Sequence, residues 1–350
     1  MSIHARYEFA SDNTAGICPE AWAALQEANA GAEIAYGDDR WTERVRNQVR
    51  DLFEIDCDTF LLFNGTAANS LALAQLVQPF HSILCYERAH IETDECGAPE
   101  FFSGGAKLLR VGGTSGKIDL TQAAEVLTRH ADVHSTKVTA LSVTQATEAG
   151  TVYTTNELDA VAAFAAEHSL ALHMDGARFA NAVASLGCKP KEVSWQRGVD
   201  VLSFGGTKNG LAAGELAVFF RRNLAREFEF RVKQGGQLAS KTRFLAAQWT
   251  GILTNGVWLS NARHANKMAQ LLEEGLRATG QARLAFPREA NALFVHLPAE
   301  IVERMRRQGW QFYKFIEPDI YRLMCSWATT AEQIEELIAT LYGYGNRRPG

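Results

Sequence analysis

The chain reads as an α/β protein: a large domain on a mostly parallel seven-stranded sheet, then a smaller α+β C-terminal domain. Three observations predict this. Seven short apolar runs recur between residues 60 and 220. Helical periodicity fills several of the gaps between them. Beyond residue 242 that alternation gives way to one long helical stretch and then to a mixed pattern.

In chain order, the expected strands are 60–63, 82–86, 107–111, 139–144, 170–174, 201–204 and 216–220. They are short, rich in apolar residues and bounded by turn residues. Helices are expected at 67–77, 120–129, 155–168 and 178–186, where the apolar period lengthens. Strand–helix–strand repetition of this kind implies a sheet covered on both faces. Residues 242–279 read as helical with interruptions at Gly251 and Asn255-Gly256, a segment able to carry the chain into a second domain. There the pattern predicts strand 292–297, helix 299–307, strands near 311–315 and 320–325, and helix 331–342. Thr329 or Thr330, with Glu332 or Gln333 three residues on, is the start signal of that last helix. The expected division is an N-terminal arm over 1–17, a large domain over 18–255 and a small one over 256–350.

The chain has 350 residues, 35 basic and 40 acidic, for a net charge of −5 and no long run of either sign. Nothing in that balance suggests nucleic-acid binding. Six cysteines, at 18, 57, 85, 96, 188 and 325, show neither a C-x-x-C pair nor a zinc spacing, so reduced thiols and no metal site are expected. Neither an apolar leader nor a membrane-length apolar stretch is visible. A cytoplasmic protein is the expectation.

The most informative pair is Asp175 and Lys208. The run at 170–174 ends in Asp175-Gly-Ala-Arg178, and the run at 201–204 leads through Gly205-Gly206-Thr207 to Lys208-Asn209-Gly210. In parallel sheets ligands bind where strands end. A lysine and an acid at two such ends are what pyridoxal phosphate requires: the amine bonds the coenzyme's aldehyde, and the carboxylate keeps the pyridine nitrogen protonated. Alone, Asp175 reads equally well as a helix cap, and Lys208 as an ordinary solvated lysine, but the flanking glycines leave room for a bulky group. Gly65 and Thr66, in Phe63-Asn64-Gly65-Thr66, open a helix after a strand and suit a phosphate, although an ordinary cap explains them too. His90 follows the strand 82–86 closely enough to lie on the ring or to take a proton. Arg178 can bind a carboxylate with two parallel hydrogen bonds.

These segments resemble the threonine aldolase group of the aspartate-aminotransferase-like (fold type I) pyridoxal phosphate enzymes. The likeness rests on FASDNTAG (9–16), AYGDD (35–39), FNGTAANSLAL (63–73), AHIETDECGAPE (89–100), LHMDGARFANA (172–182), SFGGTKNG (203–210) and IYRLMCSW (320–327). The resemblance implies that Lys208 bonds the coenzyme, Asp175 pairs with its ring nitrogen, His90 stacks on it, and Gly65 and Thr66 hold its phosphate. It further implies that Ser11, Arg178 and Arg322 bind the substrate carboxylate. Tyr36 and the stretch 231–237, Arg231 included, would come from a neighbouring subunit of a homodimer or homotetramer.

The implied reaction splits a β-hydroxy-α-amino acid, such as L-threonine, L-allo-threonine or L-phenylserine, into glycine and an aldehyde, and runs in reverse. A base must then remove the β-hydroxyl proton. Here the chain departs from the pattern: Thr144-Gln-Ala-Thr-Glu148 stands where many members carry a histidine, and Thr207 replaces a serine. His90 is the preferred base, His134 the second candidate, and Asp94 a binder of the β-hydroxyl. Transamination or β-elimination on the same fold is the nearest rival reading. A protein that merely binds a phosphorylated small molecule is the more distant one.

Overall fold

The computed structural model describes residues 4–342. Its strands run β1 (Asp58–Leu62), β2 (His81–Tyr86), β3 (Lys107–Val111), a hairpin of β4 (Gly113–Thr114) and β5 (Lys117–Ile118), β6 (Lys137–Thr144), β7 (Ala171–Gly176), β8 (Val201–Gly205) and β9 (Glu215–Phe219). Outside the hairpin they form one seven-stranded sheet in the order β1-β9-β8-β7-β6-β2-β3. From β3 through β8 every neighbouring pair is parallel, as the alternating pattern predicts. β9 alone runs against its neighbours β8 and β1. The reason is its short connection to β8, which lacks the crossover helix that a parallel return needs.

β7, β8 and β9 are buried along their whole length, which is why they read as continuous apolar runs. The expected helices form at Gly65–Leu76, Leu120–Arg129, Thr155–Glu167 and Phe179–Leu186. Asn64 caps the first through the N–H of Ala67, and Thr154 with Glu157 makes a capping box on the third. Of the helices that appear where none was expected, the two longest are Pro19–Ala28 and Arg40–Phe53. The second buries Trp41, Val45, Val49 and Phe53 on one face, and Asp39 caps it. A third unexpected helix, Phe228–Gln234, packs its buried Phe228 and Val232 into the cluster around Leu71.

Past the sheet, helices Arg243–Leu253 and Val257–Thr279 are separated at Asn255, whose φ of 54° breaks the helical path. A second, antiparallel sheet follows: β10 (Arg283–Leu284), β11 (Ala292–His296), β12 (Tyr313–Ile316) and β13 (Ile320–Met324), in the order β10-β11-β13-β12. Helices Ala299–Arg307 and Ala331–Tyr342 cover it. Leu293, Leu323, Met305, Trp310 and Leu337 make its core. Thr330 and Gln333 exchange the reciprocal bonds of a capping box, as their spacing predicts. Phe9 packs into this second core, while Asp12, three residues later, reaches Arg178 beside the first sheet. The N-terminal segment thus ties the two sheets together at the site.

Candidate active site

The C-terminal ends of β1, β2, β6, β7 and β8 share one edge of the sheet, and the first residue of antiparallel β9 joins them. The strand register places Asp175 beside Thr144 on one side and Ser203 on the other. Gly205 and Leu62 both pair with Glu215. Chain ends here carry polar groups because the apolar core stops at the last strand residue.

A pocket of about 240 Å³ opens above this edge, and its lining includes Ser11, His90, Asp94, Glu148, Arg178, Lys208 and Arg322. Six of those seven are expected site residues. Asp175 lies nearly sealed at 3% exposure. Its carboxylate accepts from Asn69 Nδ2 at 2.8 Å and from the Ala177 N–H at 2.9 Å. Burial by itself would raise the pKa of Asp175, but His90, the Ala177 N–H and Lys208 outweigh that and hold it low. Lys208 is half-buried, and among the described residues its amine has no hydrogen-bond or ion-pair partner. Burial, then the nearby Arg178, lowers its pKa, so its neutral, nucleophilic form is easier to reach.

Around this pair runs a network that sequence reasoning missed. Asn69 also donates to Glu95 at 2.9 Å, and Glu95 meets His90 Nδ1 at 2.9 Å. The nitrogen of His90 and the carboxylate oxygens of Glu95 and Asp175 lie within 4.8 Å of one another, a spacing these hydrogen bonds explain. Glu95 draws the pKa of His90 upward. The Glu148 carboxyl accepts from the Thr144 hydroxyl at 2.7 Å and the His90 backbone N–H at 2.9 Å, both on Oε1. Burial and then Asp175 push Glu148 up to about 7.

The arginines differ from expectation. The fork of Arg178 is already engaged: Nε and Nη2 donate to Asp12 at 2.7 and 2.9 Å, and Asp12 is 2% exposed. Arg322 is the freer cation, because among the described residues its buried Nε has no acceptor and its Nη2 reaches only the Ala10 carbonyl at 3.4 Å. Ser11 caps the turn Asp12–Thr14 through the Asn13 N–H.

Several expected residues lie outside the pocket. His134 sits exposed in the loop before β6, at the opposite end of that strand from Thr144. A strand of that length separates it from Lys208 by roughly 20 Å or more, so within the chain it cannot serve as the base. Its place on the wrong side follows from the direction of β6. Tyr36 is exposed, with Lys233 over its ring, and half-buried Arg231 bonds Gln75. Gln237 accepts the Phe63 N–H of the same chain, so that end of the 231–237 stretch borders its own Gly65–Thr66 turn. Gly65 and Thr66 begin the helix one turn before Asn69. Asn64 takes the Ala67 and Ala68 N–H groups, leaving those of Gly65 and Thr66 without acceptors among the described residues.

The beta-eliminating lyase family model matches residues 8–300. The low specificity L-threonine aldolase of Pseudomonas aeruginosa is 55% identical over 96% of this chain and 97% of its own length. The chain belongs to the beta-eliminating lyase family. Among solved structures, the threonine aldolase of Leishmania major superposes with a TM-score of 0.91 at 28% identity, covering 96% of this chain and 99% of that one. A probable N-succinyldiaminopimelate aminotransferase of Thermus thermophilus shares the fold, with a TM-score of 0.72 at 17% identity over 95% of this chain and 93% of that one. This beta-eliminating lyase is therefore a pyridoxal-phosphate-dependent enzyme of fold type I. Among the described residues the donor set fits that coenzyme: an unpaired amine, a buried carboxylate held low in pKa, helix-start N–H groups without acceptors and an arginine nitrogen without a partner.

Proposed function

We propose that this enzyme cleaves L-threonine, L-allo-threonine and related β-hydroxy-α-amino acids such as L-phenylserine to glycine and an aldehyde, and catalyses the reverse addition. The observation that carries this reading is the partnerless Lys208 beside ionised Asp175, at the ends of adjacent strands, in a chain 55% identical to a low specificity L-threonine aldolase. When bound, pyridoxal phosphate supplies a protonated pyridine ring that accepts the electrons of a bond broken at Cα.

Lys208 would hold the coenzyme through its amine, and Asp175, whose carboxylate Asn69 and the Ala177 N–H keep in place, would pair with the ring nitrogen. Gly65 and Thr66 would offer their N–H groups to the phosphate, and His90, its orientation set by Glu95, would stack on the ring. Arg322 takes the substrate carboxylate, with Ser11 beside it. Arg178, locked to Asp12, contributes one edge of that site rather than a free fork. Asp94 lines the same pocket and would contact the β-hydroxyl.

The domain division at 1–17, 18–255 and 256–350 is supported by the helix break at Asn255 and the separate core of the second sheet. A homodimer at least, and a homotetramer by preference, is supported by Tyr36, Lys233 and exposed Phe230, which stand clear of the chain's own pocket. A cytoplasmic location draws support from six free cysteines. Among the described residues no helix is long and apolar enough to cross a membrane.

The test is product analysis with L-threonine, L-allo-threonine and L-phenylserine and no added keto acid. Glycine and aldehyde in equal amounts are expected. Ammonia with 2-oxobutanoate from threonine would instead mean β-elimination, and a requirement for keto acid would mean transamination.

A further inference from the structure

We propose that Glu148 is the group that takes the proton from the substrate's β-hydroxyl, an inference that rests on the cleavage reading above. Glu148 stands in the loop after β6 and lines the same pocket as Lys208, His90 and Arg178. Its two oxygens are unequally used. Oε1 carries both donors, the Thr144 hydroxyl at 2.7 Å and the His90 backbone N–H at 2.9 Å, while Oε2 is buried with no partner among the described residues. Two bonds on one oxygen fix the carboxyl plane and leave the other oxygen as a positioned acceptor.

A buried acceptor without a donor is left desolvated and uncompensated. A substrate hydroxyl would remove that deficit on binding, so the arrangement is explained if the hydroxyl is the missing donor. The alternatives nearby are less available. His90 is tied through Nδ1 to Glu95, which favours its protonated form and makes it a poorer acceptor. Asp94 is exposed, so water already satisfies its carboxylate, and its Oδ2 accepts the Thr93 hydroxyl at 2.8 Å. His134 is at the other end of β6.

The step balances without further reagents. The β-hydroxyl O–H proton passes to Glu148, the Cβ–O bond becomes the aldehyde carbonyl, and the Cα–Cβ electron pair leaves with Cα. Glycine forms when Cα is protonated, and Glu148 releases its proton to solvent or returns it in the reverse reaction. A carboxyl pushed up to about 7 suits both directions near neutral pH. The titratable groups facing it are Asp175, His90 and Arg178 across the pocket, with Cys85, Tyr86 and Tyr153 behind.

The test compares holoenzymes of wild type, Glu148→Gln and Glu148→Asp. Glutamine keeps the shape and the Oε1 acceptor, so coenzyme absorbance and glycine affinity should stay within about twofold while threonine cleavage falls about 10²–10⁴-fold. The low-pH limb of the wild-type rate should vanish from the residual activity, and aspartate should recover at least about tenfold over glutamine. Difference infrared spectroscopy of the apoprotein should show a carboxyl titrating at about 7 that the glutamine variant lacks. Cleavage by Glu148→Gln close to the wild-type rate overturns the proposal, as does parallel loss of coenzyme and glycine binding with no rescue by aspartate. If wild type itself releases no aldehyde, it is the cleavage reading that fails.

Discussion

Replacing Asp12 by asparagine should destabilise the protein through Arg178. The pair is joined by two short charge-assisted bonds at 2.7 and 2.9 Å, with Asp12 2% exposed and the Arg178 side chain 15% exposed. Asn291 adds a third bond to the same carboxylate at 3.1 Å. Removing one partner of a buried pair costs about 3–5 kcal/mol, because the other charge stays behind uncompensated. Arg178 borders the pocket, where water can reach it, so the low end, about 3 kcal/mol, is expected. The anion also offsets the field of Arg178 on Lys208, so its loss should lower the lysine pKa further. Equilibrium urea unfolding of the apoprotein measures the first effect, and the pH dependence of covalent labelling at Lys208 the second. The double variant Asp12→Leu, Arg178→Met should regain much of the stability, since it leaves no buried charge. A loss below about 0.5 kcal/mol for Asp12→Asn would refute the reasoning, because it would mean the ion pair is effectively solvated.

Two further outcomes follow from the same physics. Glu215 is buried beside the lysine turn, accepts the Gly206 N–H at 2.6 Å, and is pushed by burial from 4.5 to about 7. Between those values the folded state keeps a proton that the unfolded chain has released, so stability should fall as pH rises through that window and level off above it. Glu148 acts in the same direction. Glu215→Gln should therefore reduce the fall in urea midpoint between pH 5 and 7 without abolishing it, and an unchanged slope would show that Glu215 titrates normally. Gly206→Ala places a Cβ within 2.5 Å of Leu211 Cδ1 and 2.6 Å of both the Gly214 carbonyl and the Trp249 ring. Overpacking of this kind costs about 1–3 kcal/mol. Calorimetry should show that loss together with weaker coenzyme uptake, and normal uptake would mean the turn before Lys208 is slack.

How much of this was legible in the sequence depended on the range of the signal. β7 and β8 were readable because strands buried on both faces are continuous apolar runs, and their ends marked Asp175 and Lys208 without any tertiary information. The helix Arg40–Phe53 carries a readable trace, Trp41, Val45, Val49 and Phe53 at four-residue spacing behind an Asp39 cap, although most of its other positions are polar and mask it. β4, β5 and β10 span two residues each, too short for any periodicity. The occupied fork of Arg178 was invisible, because Asp12 lies 166 residues away and no local pattern pairs them. Glu148 could be seen as a departure from the family's pattern, but its unpartnered oxygen is a property of the folded pocket. His134 shows the opposite error: a plausible residue type near a plausible strand, placed at the wrong end of it.

Peptide mapping by mass spectrometry, after loading with pyridoxal phosphate and reducing with borohydride, probes the grip on the coenzyme most directly. A single modified position at Lys208 is expected, with labelling sharply diminished in Asp175→Asn. Label spread over surface lysines such as Lys189 and Lys233, with Lys208 unmodified, would contradict the account at its root.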